Sequence, residues 1–296
     1  MTQASRAAVV EEDGKAPGSS RDAAAALTQV EGRKMAGNQG RQRSRQQGIK
    51  VLERGDIYFI YRPKIEEASA AGLADVQRFF MILSPHDTKR YRLLVIGQKR
   101  LPAIGDRGER TWGFVEKASR TARALQEELA PGRYQTKTRG ERTQPVARPA
   151  GEGVYALVRH TDHMHLVYAL ELPDKPGVVQ EGLHLAAEGS YIVSIKNPEQ
   201  PSPPGVGLGE ERQASFPKTL QGSFRGRRFI PVDPPSFLNY EGAEVLLIGA
   251  SEDVSEELDV QLHPEEETVA TAEIFKHLHL DRSRHPLKPL FEGAWE

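Results

Sequence analysis

Three of the nine histidines, His160, His163 and His165, lie close together near the middle of the chain. They fall at the polar tip between two strand-forming runs, residues 151–160 and 164–173. A turn centred on residues 162–163 would place His160 opposite His165. Directly opposed residues of an antiparallel pair have Cβ atoms about 4.5–5.5 Å apart, close enough for two imidazoles to share a metal ion. The sequence therefore predicts a divalent transition-metal site at this tip, with His160, His163, His165 and the carboxylate of Asp162 as candidate ligands.

A metal site at this tip needs a further ligand from elsewhere in the chain. His184, His86 or a carboxylate are the candidates, and two histidines with one carboxylate suit zinc or non-haem iron. Such a site would belong to a hydrolase or an oxygenase. The alternative is a polar hairpin tip whose histidines contact solvent, a backbone carbonyl or Arg159.

The two runs that flank the tip are apolar on both faces, which a hairpin exposed to solvent on one side would not show. We therefore expect this hairpin to be central to a β-sandwich or a closed barrel. One face carries Tyr155, Leu157, Leu166 and Tyr168, and the other carries Ala156, Val158, Val167 and Ala169.

The rest of the chain predicts an α+β fold that is mostly β, an antiparallel sandwich or barrel with a few peripheral helices. Short turns separate several strand-forming runs, as expected for antiparallel meanders. Similar patterns of apolar run and proline in residues 79–102 and 168–198 suggest a duplicated β-meander unit. Helical patterns fall in residues 116–130 and 265–279. The predicted organisation is a disordered basic arm (1–50), a first β unit with a helix (51–131), a basic linker or loop (132–150), a second β unit (151–250) and an acidic helical tail (251–296).

Charge is segregated along the chain, although the formal net charge is only -1. Residues 33–50 contain basic residues and no acidic ones, and residues 252–267 contain acidic residues and no basic ones. One hypothesis is that the basic arm contacts nucleic acid without sequence specificity and that the acidic or C-terminal tail binds a protein partner. The alternatives are that the two charged segments attract each other, or that the arm is a solvated tail without a dedicated partner. Four arginines outside the arm are candidate phosphate contacts: Arg139, Arg142, Arg227 and Arg228.

Several classes of function are excluded by residue types that the sequence lacks. The chain has no cysteine, so it can form neither disulfides nor cysteine-ligated metal centres, and it has no thiolate nucleophile. Its apolar runs fall far short of the about 20 residues of a membrane-spanning helix, and no secretory signal begins the sequence, so we expect a cytoplasmic protein without membrane contact. P-loop, dinucleotide-binding and nucleophile-elbow motifs are also absent. The sequence favours a non-enzymatic binding or scaffold module over a metal-dependent enzyme or an electrostatic nucleic-acid-binding protein.

Five segments carry a resemblance to a known group of proteins. They are TKTRGER (136–142), PAGEGVYALVRH (149–160), HLVYALELP (165–173), GSYIVSIKNPE (189–199) and YEGAEVLLIGA (240–250). On these segments, residues 51–250 resemble a conserved prokaryotic protein family with no assigned activity. The resemblance implies a bacterial or archaeal cytosolic protein and carries over no catalytic or binding residue.

Overall fold

Antiparallel strands make up most of the regular structure of the protein. The computed structural model describes residues 48–105, 108–136, 140–203, 205–251, 258, 260–268 and 270–296. Most of the predicted basic arm (1–47), Arg139, and residues 252–257 and 259 of the predicted acidic tail lie outside the described residues. Across the described ranges, no helix has both the length and the apolar character needed to cross a membrane.

The strands in chain order are β1 (Ile49–Pro63), β2 (Val76–Pro85), β3 (Tyr91–Ile96), β4 (Arg110–Ser119), β5 (Gly132–Thr136), β6 (Gly140–Gln144), β7 (Arg148–His160), β8 (His163–Leu172), β9 (Glu188–Lys196), β10 (Phe229–Pro231) and β11 (Glu244–Gly249). The α-helices are α1 (Arg123–Leu129), α2 (Val178–Leu183), α3 (Lys218–Ser223), α4 (Glu273–His277) and α5 (Lys288–Phe291). Single 3-10 turns cover Leu73–Asp75, Glu210–Arg212 and Pro235–Asn239.

Eight of these strands close into an antiparallel barrel in the order β9-β11-β4-β3-β2-β1-β7-β8, with β8 pairing back to β9. Strand β10 pairs with residues 194–196 of β9, after the part of β9 that pairs with β8. Strands β5 and β6 form a separate hairpin. This arrangement confirms the predicted mostly-β fold and, of its two alternatives, the barrel. Strands from residues 51–131 and from residues 151–250 contribute to the same barrel.

Two apolar layers explain why the first strand reads as a nearly continuous apolar run. Ile57, Phe59 and Tyr61 belong to a buried cluster that draws on all eight barrel strands and so fills the barrel. Tyr58 and Ile60 point to the opposite side, because side chains alternate along a strand. There they pack against residues of α1, α4 and α5, which cover this part of the outer wall. Because this part of the strand is buried on both faces, its sequence does not alternate between apolar and polar residues.

The β7–β8 hairpin is part of the barrel wall, but its register differs from the predicted one. His160 pairs with His163 and Val158 pairs with His165, so the prediction that His160 faces His165 was wrong. Residues 161–162 alone connect the strands, and Thr161 adopts a positive φ of 54°. Such a backbone fits a two-residue hairpin turn, which follows the twist of the strands better than the longer loop that we expected.

Candidate functional site

The three histidines of the β7–β8 tip lie near one another but in different environments. The His160 and His165 rings are 5.9 Å apart between centroids. His163 places Nδ1 2.7 Å from Oδ1 of Asp162 at the surface. His165 is buried, with Nδ1 3.0 Å from the Ser190 hydroxyl on β9, and its burial, reinforced by His160 and His163, lowers its pKa to about 4.

This tip does not supply the closest sets of possible metal ligands. Within the described ranges, two sets of three or more ligand atoms lie within 4.8 Å of one another, and neither contains His160, His163, His165 or Asp162. The metal site at the tip therefore remains a prediction.

The other residues singled out from the sequence are spread over separate elements. His184 follows α2 with a positive φ of 58° and lines a small cavity with Ile104 and Leu185. Arg142 lies on β6 opposite Tyr134, while Arg227 and Arg228 precede β10 on the surface. Arg139 lies outside the described residues. None of these described arginines lines the pocket considered next.

A pocket of about 530 Å³ lies on the outer wall of the barrel, where the β1–β2 pair, the segment before α1 and the helix α4 meet. We call it the Asp56 pocket, after the carboxylate on β1 around which its histidines are placed. It is lined by Asp56, Ser84, Pro85, His86, Thr88, Lys89, Arg90, Tyr91, Arg120, Thr121, Ala122, Arg123, His277 and His279.

Asp56 lies between two histidines that come from distant parts of the sequence. Its Oδ1 accepts a hydrogen bond from Nε2 of His86 at 2.5 Å, and its Oδ2 is 3.4 Å from Nδ1 of His277. Burial alone would raise the pKa of Asp56, but the hydrogen bonds and charges of His277 and His86 outweigh it and lower the pKa. Asp56 is therefore held as a carboxylate that fixes both imidazoles.

His277, the last residue of α4, reaches this carboxylate from the outer face of β1. Asp56 and Tyr58 are two residues apart on β1 and share the outer face of the wall. The Tyr58 hydroxyl lies 2.9 Å from Nδ1 of His277, and Oε2 of Glu273 lies 3.6 Å from the same nitrogen. The hydrogen bond to Asp56 raises the pKa of His277 against the opposing effect of burial, so positive charge is favoured there.

Four basic side chains surround this centre, and none makes an ion pair with any residue that the structure describes. Lys89 and Arg90 belong to the β2–β3 turn, and Arg120 and Arg123 lie at the start of the α1 region. Of the described lining residues, Asp56 alone is acidic. Among the described residues, the lining of the pocket therefore carries more positive than negative charge, which favours the approach of an anion.

Asp56 also belongs to one of the two sets of close metal-ligand atoms. Asp56, Glu273 and His277 form the first set, and Glu152, Glu171 and Glu267 form the second. Two carboxylates and one imidazole suit a first-row transition metal, whereas three carboxylates suit a hard cation such as Ca²⁺. Neither set is apparent from the sequence, because only the fold brings Asp56 to the Glu273–His277 pair of α4 and brings Glu152, Glu171 and Glu267 together.

No protein-family model matches the chain, and no curated protein or solved structure matches it significantly. Its function is therefore argued from the geometry of the Asp56 pocket.

Proposed function

We propose that the protein is a binding module for a phosphate-bearing ligand and that the Asp56 pocket is its binding site. The observation that carries this proposal is the ring of four basic side chains, Lys89, Arg90, Arg120 and Arg123, none of which is paired within the described ranges. By contrast, Arg78 and Arg212, elsewhere on the surface, each form an ion pair with Glu116. A phosphate group would supply the negative charge that this pocket lacks.

The chemistry of the basic residues favours phosphate over other anions. A guanidinium group presents a planar fork of N–H donors that matches two phosphate oxygens, and such charge-assisted bonds are the stronger class. Arg120 and Arg123 make no ion pair with a described residue, so a ligand would break no such pair to reach them. The raised pKa of His277 favours its positively charged form, which would add to the attraction for an anion.

The size and walls of the pocket favour a nucleotide or the end of a nucleic-acid strand. Small-molecule sites enclose about 300–1,000 Å³, and this pocket has about 530 Å³. Tyr91 adds an aromatic ring to the basic wall, a combination that suits a base next to its phosphate. The cytoplasmic location expected from the sequence belongs to the same proposal.

Calorimetric titration of the full-length protein with pyrophosphate, AMP and ATP at low and at physiological salt tests the proposal. We expect measurable binding that weakens with salt, and a loss of about tenfold or more in affinity in the Arg120→Ala/Arg123→Ala double variant, because each charge-assisted hydrogen bond contributes about 1.5–3 kcal/mol. The matched control is Arg227→Ala/Arg228→Ala, which removes the same charge outside the pocket. Absence of binding in the wild type, or an equal loss in the control, would overturn the proposal.

The first metal-ligand set favours a second candidate function, the metal-assisted hydrolysis of a phosphate ester. Asp56, Glu273 and His277 would hold a transition metal beside the basic side chains that bind the phosphate, and a bound metal lowers the pKa of a water ligand. Metal analysis of protein purified without a His tag, together with hydrolysis of bis-p-nitrophenyl phosphate in the presence of Zn²⁺ or Mn²⁺, tests it. A metal content below about a tenth of an equivalent, or hydrolysis that persists in His277→Ala, would contradict this function.

A further inference from the structure

A second group of acidic side chains lies next to α4, outside the lining of the Asp56 pocket. It consists of Glu152 on β7, Glu171 at the end of β8 and Glu267 in the segment that precedes α4, and we call it the carboxylate cluster. One oxygen from each of the three lies within 4.8 Å of the others. Three carboxylates from separate parts of the chain would repel one another unless a positive charge lies among them.

Glu152 provides an independent observation that points to a ligand in this cluster. Its side chain is only 1% exposed. Oε1 accepts hydrogen bonds from the backbone N–H groups of Glu273 at 2.7 Å and Ile274 at 2.9 Å. Oε2 is buried and receives no hydrogen bond from a donor group of the described residues. A buried polar atom without a partner is costly, so an unpaired oxygen inside an acidic cluster indicates a missing positive group.

Backbone amides hold the other two carboxylates in the same way. Oε1 of Glu171 accepts the Glu265 backbone N–H at 2.8 Å, and Oε2 of Glu267 accepts that of Glu273 at 3.2 Å. Backbone hydrogen bonds thus fix all three side chains, and the Glu152 and Glu267 carboxyl groups lie within hydrogen-bond reach of each other if one of them carries a proton. None of the three makes an ion pair with a described basic side chain.

We propose that the carboxylate cluster is a binding site for a hard divalent cation of calcium size, which ties the C-terminal segment to the barrel wall. Ligands that are all oxygen favour Ca²⁺, Mg²⁺ or Mn²⁺ over softer metals. The three ligand oxygens, all within 4.8 Å of one another, fit inside the coordination sphere of Ca²⁺, whose ligands lie about 2.3–2.6 Å from the ion. Three carboxylates suit Ca²⁺ better than Mg²⁺, because Mg²⁺ usually keeps several of its waters and binds through only one or two carboxylates. Water would complete the coordination.

A shared proton is the competing source of positive charge. Burial, together with Glu267, raises the pKa of Glu152 to about 9, and burial raises that of Glu171 to about 7. These shifts report the same lack of a counter-charge that the geometry shows. A proton and a cation predict opposite responses to added calcium, so experiment separates them.

A cation in the cluster would act on α4, and therefore on the position of His277. The Glu152 carboxylate holds the first amides of α4 through Oε1, and the same helix ends at His277. Binding at Oε2 would fix the side chain that anchors this helix. The inference stands on the cluster alone and does not require the Asp56 pocket to bind phosphate.

The test uses the full-length protein, stripped with EDTA and then titrated with CaCl₂, MgCl₂ or MnCl₂ at constant ionic strength while Tm is measured. We expect Ca²⁺ at about a hundredfold excess over its Kd to raise the Tm by roughly 5 °C or more. Isothermal titration should give one site. No Tm shift and no heat with calcium would overturn the proposal in favour of the shared proton. A response to Mg²⁺ equal to the response to Ca²⁺ would overturn the assignment to a calcium-sized ion.

Two variants show whether the response comes from this cluster. Glu152→Gln and Glu171→Gln should each abolish the calcium shift, and the exposed Glu211→Gln should retain it. Glu152→Gln keeps an oxygen for the amides of α4 and gains a donor for Glu267, so in EDTA its Tm should equal or exceed that of the wild type. A shift that persists in both cluster variants would refute the site. Arg120→Ala, which weakens phosphate binding, should keep the shift, so the two proposals can fail separately.

Discussion

His277 on α4 lies against Tyr58 on β1, with its Nδ1 atom 2.9 Å from the tyrosine hydroxyl oxygen. The two residues are 219 positions apart in the sequence. Tyr58 is almost completely buried in the outer layer of the wall, so it offers His277 a fixed partner. The position of the pocket histidine therefore depends on how the C-terminal segment packs on the first strand.

Replacing Tyr58 with phenylalanine should destabilise the protein and weaken ligand binding together. The variant removes one buried hydrogen bond and leaves the ring in place, which costs about 1 kcal/mol of unfolding free energy. His277 would also lose a contact that sets the orientation of its ring. Urea denaturation and calorimetric titration with pyrophosphate measure the two effects. Tyr134→Phe, on the exposed β5–β6 hairpin, is the control and should change neither quantity.

Anion binding should weaken as the pH rises through the pKa of His277, because the imidazole then loses the positive charge that attracts the anion. The hydrogen bond to Asp56 raises this pKa above the ordinary value of 6.5. The charged form and its contact with Asp56 therefore stabilise the fold fully below 6.5, and the contribution disappears as the pH passes the raised pKa. NMR titration of the imidazole should give a pKa above 6.5 in the wild type and a lower one in Asp56→Asn. Equal pKa values in the two proteins would contradict the assignment.

His165 should destabilise the protein in mild acid. Burial lowers its pKa to about 4, so the unfolded chain takes up a proton near pH 6.5 while the folded protein does not. Stability is therefore complete above 6.5 and falls as the pH drops toward 4, by up to about 3 kcal/mol at roughly 1.4 kcal/mol per pH unit. Denaturation curves between pH 4 and 7 should show a smaller fall in His165→Gln. The exposed His163→Gln should behave like the wild type, and an identical fall in His165→Gln would exclude this origin.

Shortening Ile274 should affect both stability and binding. Its side chain is fully buried against the outer wall, so Ile274→Ala should cost about 2–4 kcal/mol and loosen α4. Because α4 carries His277, pyrophosphate affinity should fall as well. Lys276→Ala, on the exposed side of the same helix, should leave stability within about 0.5 kcal/mol of the wild type. A destabilised Ile274→Ala protein with unchanged affinity would show that the helix does not position the site.

The sequence predicts much of the barrel, because apolar runs and short turns are local signals. The boundaries predicted from the sequence are wrong where contacts with distant parts of the chain determine which element forms. Residues 116–130 have a helical pattern, yet 117–119 continue β4 because they pair with β3, and the helix begins only at Arg123. The predicted helix 265–279 contracts to Glu273–His277, since Glu267 and its neighbours turn toward the carboxylate cluster instead.

The Asp56 pocket was largely beyond reach from the sequence because long-range pairing assembles it. Asp56 reads as the first residue of a strand, His86 as part of a turn, and His277 as one of two histidines on a helix that point apart. Their meeting depends on the β1–β2 register and on the docking of α4. Three of the four pocket cations are flanked by further basic or polar residues, so their sequence context resembles that of an ordinary solvated surface.

Closure of the barrel has a consequence for how the chain is made. The meander β1–β4 leaves the ribosome before the other barrel strands. Its outer strands β1 and β4 find their final partners only in β7 and β11, respectively. Until those segments are synthesised, the nascent meander exposes two unpaired strand edges and an uncovered apolar wall. We expect the barrel to close only after most of the chain has emerged, and to do so slowly, because distant segments must meet before any seam can form.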